Sequence, residues 1–213
     1  MRAVDADRRK FLRGRIGKTF HGWHPSPGRR PVEWIGAPQG DACNLLDLLP
    51  GVASWEVWPV EIVFTDGGRH HAWPVDFGLR RTNGTRLALD VLSTDEAVLL
   101  ERRGLSRLFA DSLSACGIAY APRTHASLVR SRQYRNAAYV ASCRTAFVGD
   151  ELARRIQLAL GQGERSLREL SLLLPEERTA SVAARALAWH RVLEPDLDFD
   201  DRDDIRVRLR AAR

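Results

Sequence analysis

Hydrophobic and polar residues alternate in short blocks along the middle of the chain, and their spacing predicts helices and strands in turn. Residues 41–49 carry apolar side chains at helical spacing, and Pro50-Gly51 ends that helix. Residues 52–65, VASWEVWPVEIVFT, are rich in the valine, isoleucine and aromatic side chains that favour strands. After a glycine turn at residues 66–68, residues 70–80 are predicted to form the return strand.

A second hairpin turn at Asn83-Gly84 leads into a strand predicted at residues 86–92. The helical period of residues 95–116 then predicts one long helix that ends before Gly117. Its predicted apolar stripe is Leu99, Leu100, Leu105, Leu108 and Leu113. A short strand at 118–120 and a helix at 132–144 follow, so residues 37–150 are predicted to form an α/β core with a mixed sheet.

The last part of the chain, residues 151–213, has a different pattern. A helix near residues 150–160 precedes two short amphipathic helices, at 166–174 and 179–191, joined by a turn that contains proline. The segments VLEPDLDF and DIRVRLR then form a predicted hairpin around an acidic stretch. Two helices followed by a hairpin are typical of a winged helix, whose second helix can enter the major groove of DNA. A helical cap that only completes the fold is the alternative.

Positive charge is concentrated at the beginning of the chain. The protein has 33 lysine and arginine residues, a formal net charge of +6 and a pI of about 9.9. Nine of those basic residues lie in the first 30 positions, beside two acids, so residues 1–36 are interpreted as a basic arm that binds a polyanion. A solubilising tail is the alternative. The candidate phosphate contacts are Arg9, Lys10, Arg13, Arg15 and Lys18 in the arm, and Arg102, Arg103, Arg185 and Arg191 on predicted helices.

Several classes of protein are excluded by what the composition lacks. No apolar run approaches the roughly 20 residues that a membrane span needs. The charged N-terminus does not resemble a secretory signal, and the three cysteines are too widely spaced for a zinc knuckle or a disulfide framework. We therefore expect a cytoplasmic protein with no membrane partner.

Two acids on successive strands are the candidates for chemistry. Asp76 follows Pro74-Val75 within the return strand predicted at residues 70–80, and Asp90 lies in the next strand. Carboxylates on neighbouring strands can hold Mg²⁺ through their oxygen atoms, and either Asp41 or Asp47 on the preceding helix can add a third acid. Strand alternation places Leu92 on the same face as Asp90, where a positive residue would normally activate the attacking water.

The motifs in this region, taken in order, resemble the TnsA-type transposition endonucleases of the PD-(D/E)-x-K group. They are LPGVASWEVWPVEIVF, WPVDF, RLALDVL and CGIAYAPRTHASL, and the similarity extends from about residue 35 to residue 209. The resemblance implies a restriction-endonuclease-like mixed sheet flanked by helices, with a small winged-helix-like C-terminal part. It also implies Asp76, Asp90 and Asp41 as catalytic acids, Mg²⁺ on Asp76 and Asp90, double-stranded DNA as substrate, and a DDE transposase and an AAA+ regulator as partners.

One departure from this family decides the expected activity. The family carries lysine at the position of Leu92, and the chain has no lysine after Lys18. Loss of a charge-stabilising group costs on the order of 10²–10³ in rate, so we expect a DNA-binding protein of a mobile element with a silent or impaired nuclease site. Two alternatives remain: an active Mg²⁺-dependent endonuclease that uses Arg102 or Arg103 instead, and a non-catalytic scaffold for a partner subunit in transposition or defence.

Overall fold

The structure, a computed structural model, describes residues 21–25, 30–66, 68–174 and 180–210. The candidate arm residues Arg9, Lys10, Arg13, Arg15 and Lys18 lie outside them. The described chain forms two compact units, of which the first holds residues 21–25, 31–43 and 51–129 and the second holds 30, 44–50 and 130–210. The boundary expected at residue 150 thus falls inside the second unit.

Helices and strands alternate through the first part of the chain. In order they are β1 (His21–His24), β2 (Val32–Ile35), α1 (Ala37–Leu48), β3 (Val52–Val57), β4 (Glu61–Asp66), β5 (Arg69–Pro74), β6 (Phe77–Arg81), β7 (Arg86–Leu92), α2 (Thr94–Arg102), α3 (Leu105–Ser114), β8 (Ile118–Thr124) and α4 (His125–Arg130). The main sheet has four strands in the order β3-β6-β7-β8. Its first three strands are antiparallel, and β8 is parallel to β7 because α2 and α3 form the crossover between them. The prediction of an α/β core with a mixed sheet is confirmed.

The two long predicted strands are each broken in two. Trp58 has a left-handed backbone (φ 47°) and Pro59 has no N–H to donate to a ladder, so residues 52–65 form β3 and β4 instead of one strand. The return strand breaks opposite them, between β5 and β6. Two backbone bonds tie the breaks together, from Trp58 N to Asp76 O (2.9 Å) and from Val75 N to Val60 O (3.0 Å). As a result, β4 and β5 pair as a separate two-stranded ribbon.

The long helix predicted at 95–116 is also two helices, α2 and α3. Gly104 adopts a left-handed backbone (φ 64°) between them, which glycine tolerates without steric cost. This break changes the helical phase, so Leu99 and Leu108 of the predicted stripe are 44% and 41% exposed. A buried cluster lies beneath the two helices; its members are Ile62, Val75, Ala88, Leu92, Leu100, Leu105, Phe109 and Leu113.

The second unit is built around one buried helix. Its elements are α5 (Arg132–Ala141), α6 (Asp150–Leu160), β9 (Arg165–Ser166), α7 (Leu167–Leu173), α8 (Ala180–Trp189), β10 (Leu193–Asp196), a 3₁₀ turn (Arg202–Asp204) and β11 (Arg206–Leu209). The three strands form a sheet in the order β10-β11-β9. Helix α8 packs against α5, α6, α7 and β10, and eight of its ten residues are buried.

Among the described helices, none is both long enough and apolar enough to cross a membrane.

Candidate functional site

The two acids singled out in the sequence meet at the edge of the ribbon. Asp76 lies at the bend between β5 and β6, and the register Phe77↔Leu89 places it beside Asp90 on β7. The backbone N–H of Asp76 donates to Oδ1 of Asp90 (2.8 Å), and the N–H of Val91 donates to Oδ2 of Asp76 (2.8 Å). Each carboxylate therefore holds the backbone of the strand that carries the other.

The second oxygen of Asp90 accepts two side-chain donors. Trp73 Nε1 on β5 lies 2.9 Å from Asp90 Oδ2, and the hydroxyl of Tyr120 on β8 lies 2.7 Å from the same atom. The parallel register Ala88↔Tyr120 places Tyr120 on the sheet face that carries Ala88 and Asp90. Only 1% of Asp90 is exposed, so these donors compensate for the water that its carboxylate has lost.

The helical residue that reaches the acid pair is Gln39, not Asp41 or Asp47. Gln39 Nε2 donates to Asp76 Oδ1, while Gln39 Oε1 accepts from the backbone N–H of Ile35 at 2.9 Å. Asp41 instead contacts His125 on α4, whose Nε2 lies 2.7 Å from Asp41 Oδ2, within hydrogen-bond distance. Within the second unit, Asp47 pairs with Arg191 at 3.1 Å.

Pro38 in the sequence indicates an earlier start for this helix than the apolar spacing predicted. The helix was expected to begin at residue 41, whereas α1 begins at Ala37 and takes in Pro38. Proline is frequent in the first turn of a helix, where its missing N–H costs nothing. A start at Pro38 would have placed Gln39 in the first turn, among the candidate site residues.

Burial controls the ionisation of this network. Burial, followed by the neighbouring Asp90 carboxylate, raises the pKa of Asp76 to about 8, although the Val91 and Gln39 hydrogen bonds oppose the shift. Burial also raises the pKa of Asp90, against the donors Tyr120, Asp76 N and Trp73. The pKa of Tyr120 is raised by its burial and by Asp90, so the phenol stays a donor. At neutral pH the acid pair therefore retains a proton.

A divalent cation would have to compete with protein donors in this arrangement. Mg²⁺ needs several oxygen ligands, and each of the four oxygens of Asp76 and Asp90 already accepts at least one hydrogen bond from the protein. The third side chain presents an NH₂ group, not an oxygen, to Asp76. Over the described residues, no three or more histidine, cysteine, aspartate or glutamate side chains are grouped so that they could hold a metal ion.

Leu92 belongs to the hydrophobic core. It is 4% exposed and is one of the buried residues of the cluster beneath α2 and α3, together with Leu100 and Phe109. The position at which the resembled nucleases carry lysine is thus filled by an apolar side chain in apolar surroundings.

The arginines expected to contact DNA are placed in several different environments. Arg102 and Arg103 are exposed at the end of α2, and neither is among the donors to the acid pair. Arg185 is buried: its guanidinium donates to Tyr139 O (3.2 Å) and lies 3.9 Å from the centre of the Tyr139 ring. Arg191 forms the ion pair with Asp47. Helix α8 is largely buried, and both Arg185 and Arg191 make contacts within the second unit.

No protein-family model matches this chain, and no curated protein is significantly similar to it in sequence.

Proposed function

We propose that this chain is a DNA-binding protein of a mobile element, with a TnsA-like, restriction-endonuclease-like core whose nuclease site is silent. The observation that carries the proposal is the state of the acid pair and its neighbour. Asp76 and Asp90 lie together on adjacent strands, but their oxygens accept hydrogen bonds from the protein and Leu92 packs in the core. The acids of a nuclease site are thus present in an arrangement that suits structure better than catalysis.

The topology supports the family proposal. A helix, three antiparallel strands, a helical crossover and a parallel fourth strand follow one another in the first unit. The motifs that resemble the TnsA-type nucleases lie on these elements in the same order. In the second unit, the helices α7 and α8 precede the strands β10 and β11, and this order supports the proposed winged-helix-like part. Its buried α8 favours the alternative in which this part completes the fold without reading a groove.

The N-terminal arm supports the binding part of the proposal. Residues 1–30 hold nine basic and two acidic residues, a net charge of +7. Residues 31–213 hold the other 24 basic and 25 acidic residues, a net charge of −1. Long-range attraction to a polyanion therefore comes from the arm, because each neutralised phosphate releases counterions from the DNA. By analogy with the resembled family, a DDE transposase and an AAA+ regulator are the proposed protein partners.

The experiment that tests the silent site is incubation of supercoiled plasmid with the purified protein and Mg²⁺ or Mn²⁺. We expect no nicking by the wild type. The matched variant is Asp76→Asn, which removes the acid and keeps the shape of the side chain. Metal-dependent nicking that disappears in Asp76→Asn would overturn the proposal in favour of an active endonuclease, and Arg102→Ala and Arg103→Ala would then identify its basic group.

The binding part is tested separately by retention of labelled duplex on a nitrocellulose filter at moderate salt. We expect retention that weakens steeply as the salt concentration rises. Absence of retention, together with stable co-purification with a partner subunit, would favour the scaffold instead.

A further inference from the structure

The turn between β6 and β7 is one of the strongly basic segments in the described part of the first unit. Residues 80–86, RRTNGTR, contain three arginines and no acid, and all seven residues are exposed. We call this segment the basic hairpin. Its turn is held by the bonds from Arg81 N to Thr85 O (2.9 Å) and from Thr85 N to Asn83 Oδ1 (3.0 Å).

Two of these arginines are placed directly opposite each other. The register pairs Arg80 with Arg86, so both side chains lie on the same face of the sheet. Like charges opposite each other across strands are destabilising. Ser54 lies opposite Arg80 on β3, and Glu56, two residues further along that strand, lies opposite Gly78. Glu56 forms no ion pair with Arg80 within the described structure. The basic hairpin itself contains no acid that could pair with either arginine.

Six arginines of the second unit pair with carboxylates, in the pairs Arg132–Asp198, Arg154–Glu151, Arg168–Asp201, Arg191–Asp47, Arg206–Glu164 and Arg208–Glu194. In the basic hairpin, by contrast, the side chains of Arg80 and Arg81 make no hydrogen bond or ion pair to any described residue. Arg86 donates to the carbonyl of Cys116, which orients its guanidinium at the end of α3.

We propose that the basic hairpin binds the phosphate backbone of DNA, with Arg80 and Arg81 as its phosphate contacts. This inference rests on the proposed DNA-binding function and adds a contact surface on the folded core to the N-terminal arm. The flat guanidinium groups of arginine suit paired hydrogen bonds to phosphate oxygens.

The test measures affinity for a labelled DNA duplex by fluorescence anisotropy over a series of NaCl concentrations. The variant is Arg80→Gln/Arg81→Gln, which leaves the Arg86 bond to Cys116 intact. The matched control is Arg206→Gln/Arg208→Gln, which removes the same charge from arginines that are already paired with Glu164 and Glu194. Loss of two phosphate contacts lowers the slope of log K against log salt by about 1.8.

The inference is supported if the slope of log K against log salt falls by this amount in the hairpin variant. The slope should equal that of the wild type in the control variant and in Arg80→Lys/Arg81→Lys, which keeps the positive charges. An equal loss of slope in the hairpin and control variants would mean that only the net charge matters. No loss in either variant would mean that DNA binds elsewhere on the protein. Both results overturn the inference and leave the proposed function standing. A wild type that binds no DNA overturns the proposed function as well. The thermal midpoint checks folding, and we expect it in the hairpin variant to equal that of the wild type, because both substitutions lie at exposed positions.

Discussion

The backbone N–H of Asp76 donates to the carboxylate of Asp90 at 2.8 Å, so the second acid of the pair fixes the bend that carries the first. Trp73, Tyr120 and Gln39 complete the network around the two carboxyl groups. Its donors come from α1, β5 and β8, as well as from the backbone of the bend and of β7. The pair therefore joins α1, β5, β7 and β8 at one place in the first unit.

Stability is expected to fall as the pH rises from about 4 to about 8. The pKa of Asp76 is about 8 in the folded protein and near 3.8 when unfolded, so between these values the unfolded chain releases a proton that the folded chain keeps. Unfolding free energies from urea titrations at pH 5 and pH 8 measure the effect. The Asp76→Asn variant should have a flatter profile. A variant profile parallel to that of the wild type would mean that another group causes the pH dependence.

Asp90→Ala is expected to destabilise the protein by about 3 kcal/mol or more, because three donors lose a buried acceptor and each unsatisfied group costs about 1–3 kcal/mol. Urea unfolding near neutral pH measures the loss. Asp111→Ala is the control, since its side chain is 75% exposed on α3 and makes only a marginal contact of 4.0 Å with Arg107. Similar losses in the two variants would show that the Asp90 network contributes little.

Gln39→Glu is expected to recreate a three-acid site at a cost in stability. The new carboxylate would face Asp76 without the NH₂ group that now donates to it, so the variant should be less stable than the wild type at pH 8. Mn²⁺ should then raise its thermal midpoint, since a ligand at 100 times its Kd adds about 2.7 kcal/mol. The wild type, whose oxygens are occupied, should show little response. An equal rise in both proteins would place the metal elsewhere.

Leu92→Ala is expected to cost about 2–5 kcal/mol, as for other buried leucines. Leu92→Lys should cost more near neutral pH and recover part of the loss at high pH, because a buried ammonium loses its proton more easily. Leu99→Ala serves as the control: its side chain is 44% exposed, and surface changes stay within about 0.5 kcal/mol. A Leu92→Lys protein as stable as the wild type would mean that the core tolerates the lysine of the resembled nucleases.

Local structure was largely predictable from the chain itself. The strand at residues 86–92, the helix at 150–160 and the hairpin turn at Asn83-Gly84 are where the apolar spacing and turn residues predicted them. The breaks at Trp58 and at Gly104 were not predicted, because strand-forming residues continue beyond Trp58 and leucines continue at helical spacing beyond Gly104. In each case a left-handed backbone interrupts a continuous pattern.

The candidate site divides in the same way. The sequence by itself determined which acids lie on adjacent strands and that no lysine follows Asp90, because residue type and strand spacing are local properties. Only the tertiary structure decided that Gln39, 37 residues before Asp76, is its helical partner, and that Tyr120, 30 residues after Asp90, donates to it. Those contacts depend on where α1 begins and on how β8 aligns with β7. Helix start and strand register are set by the packing of the whole core, which adjacent residues do not encode.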